Sequence, residues 1–189
     1  MSTTARHGLL VTDWEQLSDP PGARLELLNG QVIVNPAPHT RHQHVCRYLA
    51  NELDRQCPPD LAAEMDVEWR DLVADGGVVV DALRPDVMVT RRRELAPGSV
   101  QAAPVLVVEV LSPGNRKTEM DRKRAAYLAN GLGCYVEVDA KADGAAIRWY
   151  RPAGTDWQLV AETSGDDELV VDEPFPFRVV PNSLLPDYE

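Results

Sequence analysis

The run of residues 104–111 constrains the fold most, because it places a carboxylate inside the most apolar stretch of the chain. Its valines and leucines predict a buried strand. Glu109 lies within that run. A carboxylate buried without a partner is too costly, so it has to be paired, hydrogen-bonded or bound to a metal ion. We therefore expect a buried strand whose glutamate has dedicated partners.

A second carboxylate, Asp86, follows Pro85 and opens the strand-like run 87–89. Lys123 and Tyr127 stand four residues apart in a predicted helix over about residues 118–130, so they share one helix face. Taken alone, each of these residues is most simply structural. Their order and setting together favour a functional site.

Two strand carboxylates near a lysine are the groups that metal-assisted phosphodiester hydrolysis requires. Mg²⁺ prefers oxygen ligands, commonly one or two carboxylates completed by water and substrate phosphate. We expect Asp86 and Glu109, on adjacent strands, to hold Mg²⁺ or Mn²⁺. Lys123 would then offset negative charge in the transition state. The sequence thus favours a metal-dependent nuclease.

Length and composition predict one soluble domain over residues 1–189. No run approaches the roughly 18 apolar residues of a membrane span, so no membrane association is expected. The three cysteines are odd in number and form no Cys-x-x-Cys pair. They indicate a reducing, cytoplasmic compartment and argue against a structural zinc site.

The net charge of −11 argues against a general nucleic-acid-binding protein. Between Arg91 and Arg124, however, eight basic residues outnumber four acidic ones. A local basic surface beside the candidate site is consistent with this distribution. Arg116 belongs to this segment and is expected to contact the substrate.

Local patterns predict an α/β domain with a mixed sheet, few helices and an N-terminal β-hairpin. Thr12 and Glu15 match a capping box for a short helix, and Asn29-Gly30 between apolar runs is a strong hairpin signal. Helical spacing covers about residues 40–55. The other predicted strands cover residues 67–69, 78–80, 87–89, 104–111, 135–139, 147–150, 157–160 and 169–171.

The chain also resembles the Uma-two family of endonucleases, which belongs to the PD-(D/E)XK superfamily with the restriction-endonuclease-like fold. The resemblance spans about residues 10–180 and follows the order of the family. It rests on the segments 25–32, 35–38, 84–87 and 108–113 and on His42, Asp121, Lys123, Tyr127 and Gly131.

The resemblance implies that Asp86 and Glu109 are the metal-binding acids. The wider superfamily carries its lysine two residues after the second acid, where this chain has Leu111. The family instead has a lysine four residues before a tyrosine in the next helix, and Lys123 fills that position. Glu26 matches an early glutamate that adds an acid to the site.

His42 matches the histidine of the family, for which we expect a phosphate contact or a supporting role. Tyr127 is expected near the substrate or as a packing residue with a polar tip. One departure concerns the strand after the helix, where the family has Glu-Tyr-Trp and this chain has Cys134-Tyr135-Val136-Glu137.

Three functions remain open from the sequence. The first is a Mg²⁺- or Mn²⁺-dependent DNA endonuclease, expected to act as a homodimer because such folds often cut two strands. The second is a non-catalytic module that kept the nuclease fold and binds a protein or nucleic-acid partner. The third is a metal hydrolase of small phosphoesters, which would need no DNA-sized basic groove.

Overall fold

The computed structural model describes residues 8–73, 77–95, 97–111, 117–141 and 143–187, and for residues 71–73 it describes the backbone only. The three α-helices within these ranges are α1 (Val11–Glu15), α2 (Thr40–Gln56) and α3 (Lys117–Ala129), and two short 3₁₀ helices cover Arg92–Glu94 and Pro181–Leu184. The strands are β1 (Leu9–Leu10), β2 (Ala23–Leu28), β3 (Gln31–Pro36), β4 (Leu61–Met65), β5 (Glu68–Val73), β6 (Val78–Leu83), β7 (Val87–Arg91), β8 (Ser99–Val100), β9 (Leu106–Leu111), β10 (Tyr135–Lys141), β11 (Gly144–Ala153), β12 (Asp156–Ser164), β13 (Leu169–Val171) and β14 (Phe177–Val179).

The main sheet has the strand order β12-β11-β10-β9-β7-β4. Strands β9 and β10 are parallel, whereas the other neighbours are antiparallel. Helix α3 connects the two parallel strands, as a parallel connection requires. The mixed sheet predicted from the sequence is therefore present.

A second sheet has the order β3-β2-β6-β5-β8, with β1 paired to β6. Its β2–β3 hairpin turns at Asn29 and Gly30, whose φ angles of 52° and 74° are both left-handed. Two consecutive positive φ values define the tight turn that suits an antiparallel hairpin, which confirms the Asn-Gly prediction.

Strand β9 packs against helices on both of its faces. Leu106, Val108 and Val110 join the hydrophobic cluster that contains the apolar side of α2. Val107 joins a second cluster that contains Ala126 and Tyr127 of α3. Because side chains alternate along a strand, Glu109 shares the face of Val107 and points towards α3.

The structure also differs from the sequence-based expectations. The sequence patterns do not predict strand β4, which pairs with β7, or strand β14, which pairs with β13. The short helix α1 forms as predicted, but its N-cap residue is Leu10 and no side chain caps it. The predicted turn residues Asp75 and Gly76, the predicted loop 112–115 and Arg116 lie outside the described residues.

The three cysteines are free. Among the described residues, no helix is long and apolar enough to cross a membrane.

Replacing Gly30 by alanine should destabilise the hairpin, because a Cβ atom in the left-handed region costs about 1–2 kcal/mol. We expect Gly30→Ala to lower the free energy of unfolding by that amount in chemical denaturation. Gly133→Ala is the matched control, since φ of Gly133 is not left-handed and an added Cβ would lie an ordinary 3.5 Å from the Val105 carbonyl oxygen. Equal effects of the two changes would contradict the turn assignment.

Candidate active site

A cleft of about 630 Å³ opens where the β2–β3 hairpin, the start of α2, strand β9 beside the start of β7, and α3 meet. Five of the residues selected from the sequence line it: Glu26, His42, Asp86, Glu109 and Lys123. These residues come from five different elements or their ends, so the fold rather than local sequence brings them together.

Glu109 is buried and is held from α3. Its Oε1 accepts a hydrogen bond of 3.0 Å from Lys123 Nζ and one of 2.5 Å from the Tyr127 hydroxyl. The two donors are one helical turn apart, so they reach the same oxygen from one face of α3. The buried carboxylate of Glu109 therefore has two dedicated partners, a lysine and a tyrosine.

Glu26 contacts the same lysine from the second sheet. Its Oε1 lies 3.1 Å from Lys123 Nζ and accepts a 2.7 Å hydrogen bond from the backbone N–H of Arg84. Its Oε2 accepts a hydrogen bond from the Asn35 side chain across the hairpin. Lys123 therefore lies between two buried carboxylates.

Asp86 lies beside Glu109 because of the strand register. Val87 of β7 is opposite Val108 of β9, and one step further brings Asp86 next to Glu109. Asp86 Oδ2 accepts a 2.7 Å hydrogen bond from the backbone N–H of Val110 and lies 3.1 Å from His42 Nε2. The carboxylate is thus oriented by both β9 and α2.

The charges of this cluster shift its pKa values. Burial raises the pKa of Glu109 to about 7, against the opposing effect of the Lys123 charge. Burial alone would lower the pKa of Lys123, but the charges of Glu109, Glu26 and Asp86 outweigh it and raise the pKa. Lys123 therefore remains an ammonium group at neutral pH.

His42 and Tyr127 sit behind the carboxylates. The side chain of His42 is 11% exposed and is engaged with Asp86, while Tyr127 is fully buried. Burial lowers the pKa of His42, but the hydrogen bond and charge of Asp86, together with the charge of Glu109, raise it overall. Each side chain therefore contacts a carboxylate of the cluster, and of the two His42 lines the cleft.

Three further residues join or flank the site without having been assigned a role from the sequence. Asn35 bonds Glu26, and the Cys46 thiol lies 3.4 Å from His42 Nδ1. Glu137 is buried opposite Glu109 in the β9–β10 register. An isolated glutamate in an apolar strand, the signal that selected Glu109, would also have selected Glu137.

The oxygen donors present fit a hard divalent cation. Within the described part of the chain, the hydrogen bonds to Asp86 end on Oδ2 and those to Glu109 end on Oε1. One oxygen of each carboxylate, Oδ1 of Asp86 and Oε2 of Glu109, therefore has no hydrogen bond from the described residues. Two carboxylate oxygens in a water-accessible cleft are a suitable donor set for Mg²⁺ or Mn²⁺.

Comparisons with known proteins agree with this architecture. The family model described as "Uma2: Putative restriction endonuclease" matches residues 11–182. A crystal structure described as a "putative nuclease belonging to DUF820" from Anabaena variabilis superposes with a TM-score of 0.64. That match has 16% sequence identity and covers 88% of this chain and 89% of the other. At this identity it establishes the fold, so the predicted fold class is confirmed. No curated protein matches the chain.

The raised pKa of Glu109 predicts how stability depends on pH. The folded protein binds a proton at Glu109 more tightly than the unfolded chain does, so stability should fall as pH rises from 4.5 to about 7. One such group contributes at most about 1.4 kcal/mol per pH unit. Denaturation measured across this range should give a shallower fall for Glu109→Gln than for the wild type. Parallel curves for the two proteins would contradict the shift.

Proposed function

The chain belongs to the Uma2 family of putative restriction endonucleases, and we propose that it is a metal-dependent endonuclease that hydrolyses DNA phosphodiester bonds. The observation that carries the proposal is the contact of Lys123 with Glu26 and Glu109 in a cleft that also exposes Asp86. Three carboxylates and one ammonium group leave the cluster net negative when all are ionised. Such a site suits a divalent cation.

In this proposal Asp86 and Glu109 are the metal ligands, and Glu26 supplies a further acidic group. Bound there, Mg²⁺ or Mn²⁺ would polarise the scissile phosphate and activate a water molecule. Hydrogen bonds within the protein orient both ligand side chains before an ion binds. The Val110 N–H and His42 hold Asp86, and Tyr127 holds Glu109. We accordingly revise the roles of His42 and Tyr127 from substrate contacts to positioning residues.

Lys123 acts in this scheme as a fixed positive charge. Because its pKa is raised, it is a hydrogen-bond donor and not a general base at neutral pH. Its position between Glu26 and Glu109 restricts the ammonium group before substrate arrives. A pre-oriented charge of this kind stabilises the negative charge that develops on the phosphate.

DNA is the proposed substrate, and Arg116 is retained as a proposed contact from the sequence alone. Two described arginines, Arg24 and Arg84, line the cleft. Both are ion-paired, Arg24 with Asp66 at 2.9 Å and Arg84 with Asp19 at 2.6 Å. A phosphate must compete with these carboxylates. This pairing is the observation that favours the alternative functions, a small-phosphoester hydrolase or a non-catalytic binding module.

We further propose that the protein acts as a homodimer when both strands are cut, because one cleft holds one set of metal ligands. Light scattering at micromolar concentration checks this point separately from activity.

Cleavage of supercoiled and single-stranded DNA with Mg²⁺ or Mn²⁺ tests the proposal directly. The wild type should cut, Glu109→Gln and Asp86→Asn should not, and Lys123→Met should lose about 100- to 1,000-fold in rate. Glu137→Gln is the matched control, because it neutralises the buried neighbour of Glu109 on β10 that does not line this cleft. It should keep cutting.

Cutting that survives Glu109→Gln would place the activity elsewhere. The absence of cutting by wild type with every ion and substrate would favour the binding module.

The paired arginines also predict the salt dependence of DNA binding. Each neutralised phosphate contributes a slope of about −0.9 to the logarithm of affinity against the logarithm of salt concentration. Among the described residues that line the cleft, Arg24, Arg84 and Lys123 are all ion-paired. We therefore expect a slope of about −2 to −4, corresponding to roughly two to four contacts. Fluorescence anisotropy of labelled duplex DNA in Ca²⁺ measures it. No DNA binding combined with hydrolysis of a small phosphodiester would support the third function.

A further inference from the structure

A cluster of unlike side chains lies on the α2 side of Asp86. His42 and Cys46 are one helical turn apart on α2, and Cys46 Sγ lies 3.4 Å from His42 Nδ1. His42, Cys46 and Asp86 each have one potential ligand atom within 4.8 Å of the other two. Among the His, Cys, Asp and Glu side chains of the described residues, this is the one group of three or more whose ligand atoms lie this close together.

We propose that His42, Cys46 and Asp86 form a binding site for a thiophilic divalent ion such as Zn²⁺, and that this ion competes for Asp86 with the ion of the nuclease. The zinc site stands on its own geometry, whereas the competition rests on the proposed function. Because Asp86 belongs to both sites, zinc would inhibit the nuclease by occupying one of its ligands.

The residue types are those that zinc selects. Thiolate, imidazole and carboxylate ligands bind Zn²⁺ at about 2.0–2.3 Å, and three protein ligands with a water molecule make an open tetrahedral site. His42 now contacts Cys46 through Nδ1 and Asp86 through Nε2. An ion shared by the three side chains would bind one ring nitrogen of His42. To complete the site, the imidazole would rotate and the three ligand atoms would move closer together.

The surrounding charge favours a cation. Burial, followed by the charges of Asp86 and Glu109, raises the pKa of the Cys46 thiol. The same two carboxylates attract a divalent ion to this position. Binding is balanced by loss of the thiol proton: the S–H bond breaks, a zinc–thiolate bond forms, and the proton leaves to solvent.

An ion could reach the site from the cleft. His42 and Asp86 line the cleft, and Cys46, which is 2% exposed, lies behind His42. Cys134 provides a contrast within the same hydrophobic cluster. It is as deeply buried as Cys46, but the group of candidate metal ligands does not include it.

Cobalt(II) absorption tests the site without requiring any activity. Co²⁺ added to the metal-free, reduced full chain should give a near-ultraviolet thiolate-to-cobalt band that saturates at one ion per chain. Cys46→Ser should abolish the band. Cys134→Ser, the matched control, should keep it, and Zn²⁺ should displace Co²⁺ from the wild type. Circular dichroism verifies that each variant is folded.

Absence of the band in the wild type, or a band that Cys46→Ser leaves intact, would overturn the site. If Cys46→Ser fails to fold, X-ray absorption at the zinc edge of the double variant Cys57→Ser/Cys134→Ser, which keeps Cys46 alone, should show one sulfur in the coordination sphere, and no sulfur there would overturn the site. In the cleavage assay, Zn²⁺ should inhibit the wild type and Cys134→Ser at lower concentration than Cys46→Ser, each relative to its own zinc-free rate. Equal inhibition would overturn the competition but leave a band-positive site standing.

Discussion

The ammonium group of Lys123 is the interaction on which the rest of the site depends. It lies 3.1 Å from Glu26 and 3.0 Å from Glu109, so it links the second sheet, the main sheet and α3. Two carboxylates could not be buried this close together without a cation, and a lysine could not be buried here without carboxylates. Loss of any one member leaves an uncompensated charge, so stability and the proposed chemistry are linked in the same three side chains.

Asp86 extends this cluster to helix α2, which packs on the other face of the main sheet. Glu109 is held from α3, whereas Asp86 is held by His42 of α2 and by the backbone of β9. The two candidate metal ligands are therefore oriented by helices on opposite faces of one sheet. The same arrangement explains the zinc proposal. On the α2 side of Asp86 lie the imidazole of His42 and the thiol of Cys46, whereas on the cleft side lie the carboxylates of Glu109 and Glu26.

Features with local signals were predictable from the sequence, whereas features that depend on tertiary pairing were not. The Asn29-Gly30 turn and the buried strand around Glu109 were predicted because turn chemistry and apolar runs are local. Strand β4 was missed because Leu-Ala-Ala-Glu-Met has helical propensity and is made extended by pairing with β7. The placement of Glu26 against Lys123, and of Cys46 behind His42, depends on the packing of distant elements, which no local pattern reports.

A crystal of the protein soaked in Mn²⁺, with anomalous scattering recorded for the metal, would show directly whether Asp86 and Glu109 hold a cation together. We expect one strong anomalous peak in the cleft, bonded to Oδ1 of Asp86 and Oε2 of Glu109, with the Lys123 ammonium group still between Glu26 and Glu109. A peak elsewhere, or saturating Mn²⁺ with no peak beside these two carboxylates, would show that Asp86 and Glu109 are not the metal site.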